Sequence, residues 1–236
     1  FSKCDFSGKY HSVYYVQIRR RVGIMERLQY IFPEDILEKY EIYNYYHAAE
    51  ILSTAYGREF QELINVLRNV NISIDDILAD GGNESAIPPK FKSILFPLGW
   101  AETRVHGDLH LTLDYRSGAE GSDTIVLPDY VNGYNIDFFK NKIALDTEWN
   151  SKDQTFDRDL MAMRTYYEFG IISAGIIITR GTDLKTFPKH YGLNKYGAST
   201  TWMGKLTYRL DSRRSGGCPI LAIGITSKCI EGFEED

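Results

Sequence analysis

Three acidic residues, Asp137, Asp146 and Glu148, carry the strongest chemical signal in the sequence. They lie in the stretch Asn135-Ile136-Asp137-Phe138-Phe139-Lys140-Asn141-Lys142-Ile143-Ala144-Leu145-Asp146-Thr147-Glu148. Residues 142–149 have strand character, an Ile-Ala-Leu run followed by alternation. Side chains two apart on a strand share a face, so Asp146 and Glu148 aim at one spot. Asp137 lies just upstream, where a preceding strand or turn brings a third carboxylate to the same place. Carboxylates gathered this way repel one another unless a cation sits between them. Mg²⁺, a hard ion that takes oxygen ligands, is the expected guest, and it is an ion that promotes phosphodiester chemistry. The same D-x-E spacing is common on solvated strand faces. Here apolar residues on both flanks put the acids inside a strand-rich core segment.

The elements that must position these acids can be read from the pattern. Residues 33–46 read as a helix, with Pro33 in its first turn and Glu34 and Asp35 at its positive end. Further helices are expected at about residues 47–53 and 58–69, the latter with Phe60, Leu63, Ile64 and Leu67 as an apolar stripe that serves a core or a dimer contact. Residues 81–89 form a loop with no G-K-[ST] after it, which excludes a phosphate-binding P-loop. A helix at 91–98 stops near Gly99, and strands follow at 109–115, 134–138 and 143–149 around a Gly-containing turn at 116–122. Then come a helix at 157–170, a buried strand at 171–179, a polar loop at 192–201, a helix at 205–210 and a buried strand at 219–225. This order predicts an α/β fold, a mixed central sheet flanked by helices. Residues 1–24 stand apart as an extension: 11–18 are strand-like, Arg19, Arg20 and Arg21 follow, and Met25 is a candidate native start. Residues 25–236 form the main domain, with a helical part at 33–70 and a core at 105–226.

The 236 residues suit one domain with appendages, and 43% hydrophobic residues suffice for its core. No apolar run is long enough to cross a bilayer and no secretory signal is visible, so a cytoplasmic protein without a membrane partner is expected. Cys4, Cys218 and Cys229 make no C-x-x-C pair, which argues against a zinc site and for free thiols. None of His47, His106, His110 and His190 has metal-ligand spacing. The net charge of −5 hides an uneven distribution. Arg180, Lys185, Lys189, Lys195, Lys205, Arg209, Arg213 and Arg214 face only Asp183 and Asp211, which fits one polyanion-binding face on an otherwise acidic protein.

The acids, read with their surroundings, resemble the P-D…(D/E)-x-K signature of restriction-type nucleases. Residues 143–153 (Ile-Ala-Leu-Asp-Thr-Glu-Trp-Asn-Ser-Lys-Asp) are followed by Phe156-Asp157-Arg158-Asp159-Leu160 and Gly175-Ile176-Ile177-Ile178-Thr179-Arg180-Gly181. Later come Tyr196-Gly197-Ala198-Ser199-Thr200-Thr201 and Gly216-Gly217-Cys218-Pro219, and earlier His47-Ala48-Ala49-Glu50-Ile51-Leu52. The series is similar to the BglII/BstYI family of type II restriction endonucleases and covers most of residues 43–226. Two positions depart from the signature. Ile136 stands where it has proline, a position that only shapes the backbone. Glu148 stands where it has lysine, and some relatives carry Glu or Gln there. Activation of the attacking water then falls to a second carboxylate or to the metal.

The resemblance implies a restriction-endonuclease-like core and Mg²⁺-dependent hydrolysis of double-stranded DNA at a short palindrome, with 5′-phosphate ends. It implies that Asp137 and Asp146 bind Mg²⁺ (or Mn²⁺ in its place), with the Thr147 carbonyl as a further ligand. Glu148 orients or deprotonates water, or joins a second metal ion. Asn150, Ser151 and Lys152 directly follow the catalytic strand, and with Lys195, Ser199, Thr200, Thr201, Arg213 and Arg214 they are the candidate DNA contacts. Turn chemistry at Asn150 and Ser151, and a helix cap at 199–201 before Trp202, are the structural alternatives. A palindromic target implies a homodimer, for which the helices of 33–69 are the candidate interface, and a methyltransferase acting on the same site. A nuclease without sequence specificity, or a DNA-binding module without turnover, would share the same features.

Overall fold

The computed structural model describes residues 27–79, 85–193, 196 and 199–234. The expectations for residues 1–24, Met25, Cys4, 81–83 and Lys195 fall outside them. The helices and strands run α1 (Glu34–Lys39), β1 (Tyr40–Tyr45), α2 (Ala48–Ala55), α3 (Gly57–Asn69), β2 (Ile72–Ser73), α4 (Ile74–Leu78), α5 (Ile87–Leu95), β3 (Ala101–Asp114), β4 (Ser122–Lys140), β5 (Ile143–Glu148), α6 (Thr155–Glu168), β6 (Ala174–Arg180), α7 (Met203–Asp211), β7 (Ile220–Ile225) and β8 (Ile230–Glu231). The six-stranded sheet has the order β1-β7-β6-β5-β4-β3. Its three buried central strands, β5, β6 and β7, are parallel, and antiparallel strands flank them. This is the mixed sheet that the alternation of strands and helices predicts.

Alternation along the central strands divides the interior into two cores. Ile143 and Leu145 of β5, with Ile176, Ile178, Leu221 and Ile223, pack against α1, α2, α3 and α5. Ala144 faces the other way, with Ile177 and Ala222, onto Phe156, Leu160 and Met163 of α6 and Leu206 of α7. Asp146 and Glu148 follow Ala144 at intervals of two, so they also face α6. The stripe Phe60, Leu63, Ile64 and Leu67 of α3 is at most 3% exposed and is consumed by the first core. It therefore offers nothing to a second subunit.

Two expectations are corrected. The helix starting at Pro33 ends at Lys39, and Tyr40–Tyr45 form β1, antiparallel to β7 from Tyr40↔Ile225 to Tyr45↔Ile220. Tyr, Ile and Tyr again suit a pleated, half-buried edge better than a helix, and the Tyr40 hydroxyl donates to Leu67 O at 2.6 Å. The second correction is length: the strands expected at 109–115 and 134–138 are the ends of a much longer ribbon, β3 with β4. Pro128 conceals it in the sequence. It sits where the pairing shifts between Leu109↔Leu127 and Gly107↔Val131, a place in a sheet that tolerates proline. Beyond the sheet the ribbon is exposed, with Leu111, Leu113, Ile125 and Leu127 each about 40% accessible. Cys218 and Cys229 are free thiols, and burial pushes Cys218 up to about 12.

Two glycines make room for α6 against the sheet. A Cβ on Gly175 of β6 would stand 2.4 Å from Met163 Sδ, and one on Gly133 of β4 would stand 1.9 Å from the Tyr166 hydroxyl. That hydroxyl donates to Tyr134 O at 2.8 Å from a fully buried ring, so it cannot swing aside cheaply. Gly133→Ala should lower the unfolding free energy by about 1–3 kcal/mol, the usual cost of overpacking. Gly107→Ala, on the paired strand with open space around it, should stay within about 0.5 kcal/mol of the parent. Urea denaturation of the two variants checks this, and equal losses would mean that α6 is not held at this distance by Gly133.

Candidate active site at the end of β5

The ladder between β4 and β5 ends at Phe138↔Leu145. One residue further the strands part, and side chains take over. Asp137 N–H donates to Asp146 Oδ1 at 2.8 Å, while Asp137 Oδ2 accepts from both the N–H and the hydroxyl of Thr147 at 3.0 Å. The two carboxylates thereby complete the hydrogen bonds that the diverging backbones cannot make with each other. Ile136, in the signature's proline position, is buried beneath them in the α6 core.

Glu148 closes the site on the α6 side. Its Oε2 accepts from the Thr155 hydroxyl at 3.1 Å, in the first turn of α6, and its Oε1 lies 3.4 Å from Arg158 Nη2. Its carbonyl is held by the hydroxyls of Thr179 at 2.8 Å and Thr201 at 3.3 Å. A fourth acid completes the group. Asp159 is 3% exposed, its Oδ1 accepts from Arg158, and its Oδ2 has no partner. Burial, with the charge of Asp137 next in weight, raises the Asp146 carboxyl to about 8. Burial, followed by the charges of Asp146 and Glu148, raises Asp159 to about 9.

Arg158 and Asp159 were not singled out for chemistry by the sequence analysis, but a signal for Asp159 is there. Phe156, Leu160 and Met163 mark the buried face of α6, and Asp159 falls on that face between them. An acid on an apolar helical stripe needs a reason to be there.

Among the described residues, no three His, Cys, Asp or Glu side chains are disposed as a set of metal ligands. The acids are turned into the local hydrogen bonds above. The donor set still fits a hard divalent cation in chemistry: every donor is an oxygen, and the acids are close enough to hold one another's protons on. A cleft of about 550 Å³ opens beside Asp137, and Arg104, Asn132, Asn135 and Arg158 line it.

The segments after β5 and before α7 meet at the same end of the sheet. Asp153 N–H donates to Ser199 O, Thr201 N–H donates to Ser151 O, both at 2.9 Å, and Lys152 bridges Thr200. Lys152 and Ser199 are exposed, and Asn150 and Ser151 are half-buried. Asn150 adopts φ 60°, and its buried Oδ1 has no partner. Thr201 is fully buried, and the Thr200 hydroxyl accepts from Arg180 at 2.5 Å, so these two hold the loop instead of facing solvent. Neither caps a helix, since α7 starts at Met203 with Trp202 in the N-cap position and no side-chain cap.

Part of the basic segment is likewise turned inward. Arg180 is fully buried, donating to Thr201 O and Leu184 O and lying over the Tyr196 ring, and burial lowers it to about 10. Arg209 and Arg214 pair with Asp157, and Lys205 with Asp153. Arg213 remains exposed in a left-handed turn.

The raised carboxyls predict a pH dependence. In the fold, Asp146 and Asp159 keep protons that the unfolded chain loses near 3.8. The folded state therefore binds more protons above that value, and stability falls as pH rises toward the raised folded values. Without divalent ions, the urea midpoint should decline between about pH 5 and about pH 8, and Asp146→Asn should flatten the decline. Ca²⁺ should recover more stability at the upper end than at the lower. A midpoint that stays level in the parent would mean that both acids are already ionised in the fold.

The profile of the family described as Restriction endonuclease BglII/BglIII matches residues 40–225, a span from the first residue of β1 to the last of β7. No curated protein matches the chain. The match takes in the sheet, both cores and all four clustered acids, and it brings with it double-stranded DNA as the substrate and a family that generally uses Mg²⁺. The chain belongs to the BglII/BglIII restriction endonuclease family and is a type II site-specific deoxyribonuclease.

Proposed function

We propose that the chain hydrolyses both strands of DNA at a short palindrome in a Mg²⁺-dependent reaction, leaving 5′-phosphate and 3′-hydroxyl ends. The reciprocal bonding that holds Asp137 and Asp146 side by side, with Glu148 on the same face of β5, carries the reading. Asp137 and Asp146, with the Thr147 carbonyl, would hold the ion, and Mn²⁺ should serve in its place. The ion supplies positive charge against the phosphate oxygens and the ionising water. Glu148 orients the attacking water or takes its proton, the work that a strand lysine does elsewhere in the signature.

DNA contacts fall to the exposed parts of the loops beside β5. Asn150 directly follows the strand and is half-buried, and its side-chain amide is a group suited to a base edge. Ser151, Lys152, Ser199 and Arg213 lie beside it or on the nearby turn, and Lys195 belongs to the same basic segment. Thr200, Thr201 and Arg214 act by positioning, through the bonds already described. Two-fold DNA calls for a two-fold dimer. A contact made by α3 would use its outer face, with Gln61, Asn65 and Arg68, because the apolar face is consumed internally. A methyltransferase protecting the same palindrome is the expected companion, and the cytoplasm the expected compartment. Among the described residues, no helix is long and apolar enough to cross a membrane.

Plasmid digestion tests the reading. With Mg²⁺ the protein should give discrete bands, and with Ca²⁺ it should bind without cutting. Asp146→Ala should lower the rate by at least about 100-fold, and undiminished cutting by that variant would refute the assignment. Light scattering after size-exclusion should return a dimer, and a monomer both with and without DNA would refute the two-fold arrangement.

A further inference from the structure

Glu148 leaves the strand without the lysine of the signature, yet a cation stands beside it. We infer that Arg158, reaching over from the first turns of α6, supplies the fixed positive charge that grips the scissile phosphate in the cleft beside Asp137, with Asp159 as its positioning residue. The inference rests on the nuclease reading above.

Four observations converge on this guanidinium. Arg104 and Arg158 are the cationic side chains lining the cleft among the described residues, and Arg158 is the one that reaches Glu148. Arg158 is anchored by two donors on one oxygen, Nε at 3.0 Å and Nη2 at 2.9 Å from Asp159 Oδ1, and its Cζ lies 5.6 Å from the centre of the Tyr134 ring. Its contact with Glu148 is long, 3.4 Å, well beyond the 2.7–2.9 Å typical of a charge-assisted bond, and so the weaker of its two attachments. Its side chain is 43% exposed while both partner acids are under 10%.

A cation that merely neutralised buried acids would be buried with them. Arg158 instead keeps its Nη1 donors free of described partners and faces the cleft. A planar fork fixed at its Nε edge, stacked on a ring and open at the far edge, is organised to meet a phosphate oxygen before the substrate arrives. Asp159 explains its own cost in the same way. A buried acid at this position is unfavourable by itself, and fixing the guanidinium direction is the work it does.

The test uses a duplex carrying the mapped cleavage site, with either a phosphate or a neutral methylphosphonate at the cut position. Without divalent ions, the parent should bind the phosphate duplex more tightly than the methylphosphonate duplex, and Arg158→Gln should bind the two equally or reverse the preference. With Mg²⁺, Arg158→Gln should cut about 100-fold more slowly or worse, the usual effect of removing one oxyanion donor. Arg158→Lys should recover part of the rate, and methylguanidinium added to Arg158→Ala should restore part of it. Such rescue cannot come from altered folding. Asp159→Ala should lose rate like Arg158→Gln, and the double variant should be no worse. Cutting by Arg158→Gln within about threefold of the parent, with parent cutting intact, would overturn the inference, since a donor lost from the reacting phosphate cannot be worth so little. Absence of both rescues would overturn it too. A parent protein that cuts no DNA in Mg²⁺ would instead overturn the nuclease reading on which it rests.

Discussion

The structure turns on carboxyl groups crowded together at the point where two strands separate. A diverging strand pair normally leaves a backbone donor on each side without a partner, and a buried donor without a partner is costly. Asp137 and Asp146 answer that need by accepting the N–H groups of Thr147 and Asp137 in turn. The acids are thus part of the sheet's own hydrogen bonding, and they cannot relax away from each other without loosening β4 from β5. Repulsion and desolvation are the consequences, visible in the raised Asp146 carboxyl. They are tolerable because β5 is enclosed on both faces by apolar packing.

The sign of charge along the chain has to be read together with its partners. The segment from Arg180 to Ser215 is rich in cations, but Arg180 is spent on Thr200, Thr201 and Leu184, and Arg209, Arg214 and Lys205 on Asp153 and Asp157. These bonds fasten the 199–201 loop to the end of the sheet and the start of α6 to α7. The result is a rigid frame around the acids, in which Thr201 also fixes the Glu148 carbonyl. Arg180, Arg209, Arg214 and Lys205 are engaged within the fold, while Lys152, Lys185, Lys189 and Arg213 have exposed heads.

The parts of this arrangement legible in the sequence are those governed by local periodicity. β5, β6, β7 and α6 follow from apolar runs and stripes, and the shared face of Asp146 and Glu148 follows from the strand period alone. Tertiary pairing decides the parts that were not legible. Residues 40–45 are drawn into a strand by β7, against a helix start signal seven residues earlier. The ribbon of β3 and β4 persists through Pro128 because its partner shifts register there. Thr201 and Arg180 are polar and charged in sequence but buried in space, since each meets partners from distant segments.

The same distinction bears on the missing lysine. A motif written along one strand assigns every role to a spacing, but a phosphate responds to where charge sits in space. Gly175 and Gly133 let α6 approach the sheet at Met163 and Tyr166, its first turns lie over the end of β5, and a residue ten positions after Glu148 comes to lie against it. On the proposal above, the strand position is then free to hold an acid, which would add a ligand or base where a lysine would have added a cation. Exchanging the two changes which element must be held rigidly. On the proposal above, the cation sits on the helix, and the spacing of α6 from the sheet, for which Gly175 and Gly133 leave room, enters the geometry of the site.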